Sequence, residues 1–433
     1  MLMIELIIVL FAIFLGAKLG GIGIGLSGGF GVCMLAIIGV QPGHIPFDVI
    51  SIIIAVIVAI STMQIAGGID YLTIKTEKLL SNNPNYITII APMVTYLCTI
   101  VTGTGNIALS ILPIIIKVAK KQNIKPCIPL STAVISAQIA ITASPVSAAV
   151  IYMSSIIANR GINYINLLMV VIPSTLMAIL TMSFIIFLCF NSKLSDDHMY
   201  QKRLSQGLIK AYNDKQIIID NHAQISVWLF LLGLISIICY AIFSSSSICI
   251  IKTSIMNITN TILSIMFSVA TLTIIICQVN TNYILNSNIF KAGINSCICI
   301  LGVSWLGDTF VQENMQWIQN TISTIIQVNP WLLVIIFFFL STIMYSQATT
   351  TKTFMPIIIA LNISPLVAVT SFAAIASLFI VPTYPTVVAA MQMDDTGTTS
   401  IGKFIFNHSF FIPGLIGVIL SIIFSFLFGS IIL

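Results

Sequence analysis

The sequence predicts an all-α polytopic membrane protein. It reads as an inverted repeat of two units, each of five transmembrane helices plus one re-entrant hairpin, with broken helices. Three observations carry this. Of 433 residues, 58% are hydrophobic and only 7% charged, against about 25% charged in a soluble domain, so lipid must solvate most of the surface. Two stretches, 102–149 and 345–389, repeat one plan of apolar runs and polar breaks. The basic residues gather in a few short connections.

The shared plan runs as follows. Gly103-Thr104-Gly105-Asn106 in one stretch and Ser346-Gln347-Ala348-Thr349 in the other interrupt apolar sequence. Each break precedes a matching phrase, Leu112-Pro113-Ile114 and Met355-Pro356-Ile357. A Pro-Leu pair follows, Pro129-Leu130 and Pro365-Leu366, then a second polar break, Thr142-Ala143-Ser144-Pro145 and Val381-Pro382-Thr383-Tyr384-Pro385. Interrupted hydrophobic segments at matching positions in two halves point to the substrate site of a secondary transporter.

Composition excludes other classes. The net charge of +5 comes from lysines in short loops, which is not a nucleic-acid footprint. The nine cysteines lie mostly inside apolar runs without metal-ligand spacing, so neither disulfides, a metal site nor a cofactor is expected. No nucleophile–base set falls at membrane depth, which argues against an enzyme. Glu5 precedes the first apolar run and Lys18 follows it, so that run is expected to be a retained helix rather than a cleaved signal.

A membrane span needs roughly 20 apolar residues. In order, spans are expected at 3–17, 22–40 and 47–66, the second rich in glycines that allow close helix packing. A polar connection over 70–85 leads to the first hairpin, 86–117, whose arms each look too short to span alone. Basic residues flank it on both sides, which places its mouth in the cytoplasm. Then come 130–157, broken at Ser144-Pro145, and 167–190. The first repeat is thus 1–190, and 191–224 is a basic cytoplasmic loop. The second repeat, 225–433, has spans at 227–242, 258–277 and 292–306, then an acidic outer loop over 307–329. Its hairpin covers about 330–361, with a break expected over 346–351. Spans at 366–391, broken over 382–385, and 404–433 close the chain. An odd number of spans per half inverts one half relative to the other, with both termini periplasmic.

Two tips meeting near the midplane would form the site. Helix ends there leave backbone groups unpaired, and helix N-termini favour anions. Thr104, Gly105 and Asn106 face Ser346, Gln347, Thr349 and Thr350 by pseudo-symmetry. The broken helices add Thr142, Ser144, Pro145, Thr383 and Tyr384. This neutral, donor-rich inventory fits a small ligand anionic at each end. The competing reading is that these groups only satisfy broken backbone. Lys352 is expected inside an apolar hairpin, where an ionisable group is by default functional. It contacts substrate, snorkels, caps the hairpin, or pairs with Asp308 or Asp394. Asp308 and Glu77 read as solvated anchors. Asp394 through Thr399 reads as a solvated turn with a helix cap rather than a calcium loop, for which it has too few ligands.

These residues resemble a known family. Gly20-Gly21-Ile22-Gly23, Ile45-Pro46-Phe47-Asp48, Ser136-Ala137-Gln138 through Pro145, Trp305-Leu306-Gly307-Asp308 and Gln392-Met393-Asp394-Asp395-Thr396-Gly397 look like the anaerobic C4-dicarboxylate transporters of the Dcu family. The resemblance runs through the chain and is closest to the A branch. It implies a bacterial inner-membrane exchanger of fumarate, succinate, malate and aspartate. A proton-coupled dicarboxylate or amino-acid symporter is the alternative. It further implies an elevator-type fold similar to the ion-transporter superfamily and a homodimer. B-branch members also act as co-sensors with a membrane sensor kinase, which closeness to the A branch argues against here. The tips lack the Ser-Asn-Thr signature of that superfamily, so their role carries over by position and polarity.

Overall fold

The computed structural model describes residues 2–19, 22–45, 47–190, 192–209, 220–243, 256, 258–314, 316–317, 329, 331–344, 346–360, 363–380, 384–399 and 407–433. Among these, regular structure is helical, and one isolated bridge joins Ile124 to Lys193.

The first half begins with α1 (Leu2–Leu19), α2 (Gly23–Ile37) and α3 (Phe47–Ile65). The expected polar connection is instead a helix, α4 (Gly68–Asn82), bent 70° from α3 at Ala66-Gly67. Gly67 has φ +84°, a conformation that glycine adopts without steric cost. Ile69, Leu72, Thr76 and Leu80 recur at helical spacing, so a polar segment still buries one stripe.

Next come α5 (Ile87–Thr102) and α6 (Ala108–Lys121), then α7 (Cys127–Ile141) and α8 (Ala148–Ile157), and finally α9 (Tyr164–Cys189). With the 3₁₀ turn before it, α5 forms a 19-residue apolar helix, so this arm is longer than its sequence suggests. α6 returns toward α4: its Lys117 pairs with Glu77 at 2.7 Å. Glu77 is thus an ion-pair partner and not a free anchor.

The linker carries α10 (His198–Ser205), capped by Asp197, whose carboxylate accepts from the N–H groups of Met199 and Tyr200. Residues 210–219 of the expected basic loop lie outside the described residues.

In the second half, α11 (Asn221–Phe243), α12 (Ile258–Ile276), the one-turn α13 (Thr281–Ile284) and α14 (Asn288–Glu313) precede α15 (Leu332–Met344) and α16 (Gln347–Ala360). Then α17 (Pro365–Phe372), a 3₁₀ turn, α18 (Pro385–Met393) and α19 (Phe411–Ile432) complete the chain. α14 continues helically past the loop start expected at Gly307. Asp308 and Thr309, on its last turns, accept from the N–H groups of His44 and Gly43, so a distant loop fixes this helix end. Asp308 is therefore a loop clamp, and Lys352 is not its partner.

Packing sorts the helices into two groups. α1 to α3 pack with α11 to α14: α2 lies on α14, and α3 on α12. α5 to α9 pack with α15 to α19, and α9 runs along α19. Small residues set the approaches. A Cβ at Gly302 would sit 1.8 Å from the Gly25 carbonyl oxygen, and one at Gly31 would meet Ala12 and Leu306. Gly23, Gly25 and Gly31 of α2 are packing residues, as the glycine density predicts, whereas Gly29 faces open space. The groups meet where α3 touches α8 and α14 touches α16, across a cluster of Ile52, Met63, Phe230 and Met266 with Ile107, Val146 and Ile151. Large side chains such as Phe14, Ile275 and Ile431 face outward, as a lipid-solvated surface requires. By length and composition, four described helices can cross a membrane alone: 84–102, 164–189, 221–240 and 411–432. Of the other expected spans, that at 292–306 lies within the 26-residue α14, and the rest are shorter or bent helices.

Candidate functional site

The first break turns on Gly103, with φ +68°, which ends α5 and donates its N–H to the Thr99 carbonyl. A Cβ there would lie 2.9 Å from the Val146 side chain, so this tip presses into the break between α7 and α8. Two residues on, a Cβ at Gly105 would lie 3.3 Å from Ile141 and 3.9 Å from the Ala137 carbonyl oxygen. Thr104 is half-buried, and Asn106 sits in a single 3₁₀ turn.

The second break is shorter than expected. Helix resumes at Gln347, so Gln347, Thr349, Thr350 and Lys352 stand on the first turns of α16 and not in an irregular tip. Its first backbone N–H groups have no intrahelical acceptor. Half-buried Ser346 offers its carbonyl to Thr350. Gln347 is buried and donates its Nε2–H to the Gln138 carbonyl at 2.7 Å.

That bond has a local cause. α7 tightens as it ends: the Thr142 N–H turns to Ile139 and the Ala143 N–H to Ala140. The Gln138 carbonyl thereby loses its i+4 donor, and the amide of the second tip supplies one. The two tips thus reach the same turn of α7, Gly105 at Ala137 and Gln347 at Gln138.

Several predicted donors are already committed. Buried Thr142 donates to the Ile139 carbonyl, Ser144 to Ile100 at 2.7 Å, and Thr350 to Ser346 at 2.8 Å. The Pro145 carbonyl accepts from the Tyr164 hydroxyl. For Thr142, Ser144 and Thr350, satisfaction of the backbone is the observed role of the hydroxyl proton. The donor-rich inventory is corrected to that extent.

Lys352 is 4% exposed, and its Nζ has no hydrogen-bond partner among the described residues. It lies 5.9 Å from the Tyr152 ring on α8, at the seam between the two helix groups. Asp394 does not pair with it. That carboxylate is buried and accepts from the Thr396 and Thr399 N–H groups and the Thr396 and Thr398 hydroxyls. The 394–399 turn is therefore a largely buried loop closed on the Asp394 carboxylate, not the solvated one expected.

In the second broken helix the helical path ends near Ala376, earlier than its prolines suggest. Buried Ser377 ties this break to α15 by donating to the Phe338 carbonyl. Tyr384 is half-buried at the start of α18, and Thr383 lies outside the described residues. Sequence reasoning assigned no role to Gln138, Tyr152 or Ser377. Gln138 had a usable signal: it is the lone amide in the apolar run 130–157.

Helices broken at paired positions and packed in two groups within an apolar bundle define a multi-pass membrane protein of a transporter fold. The solved structure of the Alcanivorax borkumensis YdaH transporter shares that fold, with a TM-score of 0.57 over 88% of this chain and 84% of that one at 13% identity. The anaerobic C4-dicarboxylate membrane transporter family matches residues 1–433. The C4-dicarboxylate transporter DcuA of Escherichia coli (strain K12) is 64% identical over 99% of each chain, and DcuA of Wolinella succinogenes 46% identical over all of each. The anaerobic C4-dicarboxylate transporter DcuB of Escherichia coli O6:H1 is 36% identical over 99% of this chain and 98% of its own. The chain belongs to the DcuA/DcuB family, on its A branch, a family of transporters and not of enzymes.

Proposed function

We propose that the chain is a secondary antiporter exchanging C4-dicarboxylates (fumarate, succinate, malate and aspartate) across the bacterial inner membrane by alternating access. The convergence of both tips on one turn of α7 carries this reading. Ligand binds between the tips, where the N–H groups opening α16 and Lys352 offer positive potential, with Gln347, Thr104, Gly105, Asn106, Thr349 and Ser346 around it. The two re-entrant hairpins belong to opposite halves of an inverted repeat. Reciprocal packing of α2 on α14 and α3 on α12 supports this, because a two-fold axis exchanges those pairs. The α5–α9 and α15–α19 group moves against the other in an elevator stroke. Both termini are periplasmic, and the protein is a homodimer.

Counterflow tests this. Proteoliposomes loaded with unlabelled succinate should take up labelled fumarate only while internal succinate is present, with or without sodium. Entry independent of internal succinate would defeat exchange, and a strict sodium requirement would defeat sodium-free coupling.

A further inference from the structure

We propose that Gln138 and Gln347 form a paired-amide subsite that binds an ammonium group at C2 of a C4-dicarboxylate, so that Gln138 helps select amino-substituted acids over plain ones. The inference rests on the transport reading above. It begins with a side chain that the sequence left without a role.

Gln138 is 1% exposed, and neither its Nε2 nor its Oε1 has a partner among the described residues. Buried side-chain amides normally find partners, and a pair of unmet groups at a helix break calls for an explanation. Gln347 is 3% exposed, and its Oε1 is likewise unmet. The orientation of Gln347 is fixed. Its amide nitrogen faces the Gln138 carbonyl at 2.7 Å, and flipping it would set oxygen against oxygen. The free atom of Gln347 is therefore an acceptor.

Helical periodicity directs Gln138. Ile135 and Ile139 face α19 at Gly417, while Ile141 faces the first tip at Gly105. At 3.6 residues per turn, Gln138 falls between those two directions. It thus points beside the first tip, on the turn whose carbonyl holds the second.

The chemistry follows from the free atoms. Two amide oxygens accept and cannot donate. A fully ionised, unsubstituted C4-dicarboxylate offers no donor, so it leaves both unmet. A hydroxyl offers one. An ammonium offers three and satisfies both oxygens, while the Gln138 Nε2–H groups remain for the adjacent carboxylate. A site whose polar groups are met only by one substituent discriminates against ligands lacking it.

The test measures labelled L-aspartate and labelled succinate entry into succinate-loaded proteoliposomes for the wild type, Gln138→Leu and Gln138→Met. Both variants keep the backbone carbonyl that holds Gln347. Succinate entry should fall modestly, through loss of the amide N–H contact to a carboxylate, and the aspartate-to-succinate ratio of kcat/KM should fall at least about tenfold. An unchanged ratio, or equal loss for both acids, overturns the proposal. A wild-type competition needs no variant to fold: L-aspartate should block labelled succinate entry at far lower concentration than 2-methylsuccinate, which has the same branch without donors. Equal potency overturns the proposal. A wild type that exchanges no C4 acid defeats the transport reading itself, a result distinct from exchange without amine selectivity.

Discussion

Lys120 Nζ stands 2.9 and 3.0 Å from the two carboxylate oxygens of Asp395. The pair joins the end of α6, in the first half, to the turn after α18, in the second. It is not isolated: Arg203 of α10 donates to the Asp395 carbonyl and lies against Gly397, and the Cys127 N–H donates to Thr398. Lys125 meets Asp197 at 3.1 Å close by. The lysine-rich insert therefore fastens three segments together.

Because both partners are only 15% exposed, the pair should matter more than a surface one. Lys120→Met and Asp395→Asn should each lower stability, with a coupling of about 1–2 kcal/mol in a double-mutant cycle. Thermal unfolding in detergent measures it. Additive losses would show that the contact carries no energy of its own.

Gly103→Ala should cost about 1–2 kcal/mol from the left-handed backbone alone. The contact with Val146 adds to this, because the side chain or the break itself must shift. Transport should fall by more than the loss of folded protein explains, since the substitution displaces the tip from α7. Gly103→Ala with Val146→Ala should recover part of the activity.

Lys352→Met should assemble and elute as the parent does, because no ion pair with a described residue is lost. Its transport should fall by at least about tenfold, as an ionisable group inside an apolar bundle is costly and by default functional. Wild-type kinetics in a folded Lys352→Met protein would remove the residue from the mechanism.

At Asp197, burial raises the carboxyl pKa, but Lys125 and the N–H groups of Tyr200 and Met199 outweigh it and hold it below the ordinary carboxylate value. The stability this contributes is present in full above the ordinary carboxylate range, about pH 4. It is lost as pH falls through the depressed value. Amide exchange in α10 should accelerate below about pH 4 relative to the rest of the chain, and Asp197→Asn should flatten that response while keeping a helix cap.

Much of this was legible in local sequence. The paired breaks at Gly103 and Ser346 follow from polar residues inside apolar runs, and the glycine-rich second helix announced its close packing. What escaped depends on distant partners. Asp308 reads as a loop acid because its acceptor role is toward the N–H of His44, more than two hundred residues earlier. Thr142 and Ser144 read as ligand donors because sequence cannot show which carbonyls a break leaves open. The second tip looked longer than it is, since Gln347 to Thr351 are polar yet helical. α4 was missed because its charges hid a four-residue stripe.

The Gly25–Gly302 contact sets the two halves backbone to backbone, with no side chain between them. A joint of that kind has no cushion: sliding by a fraction of a helical turn would drive larger residues into the gap. α2 and α14 therefore provide a fixed datum within the molecule. Labels placed on that pair should keep one separation throughout a working cycle, and the same labels ranged against α16 would record any travel of the other helix group.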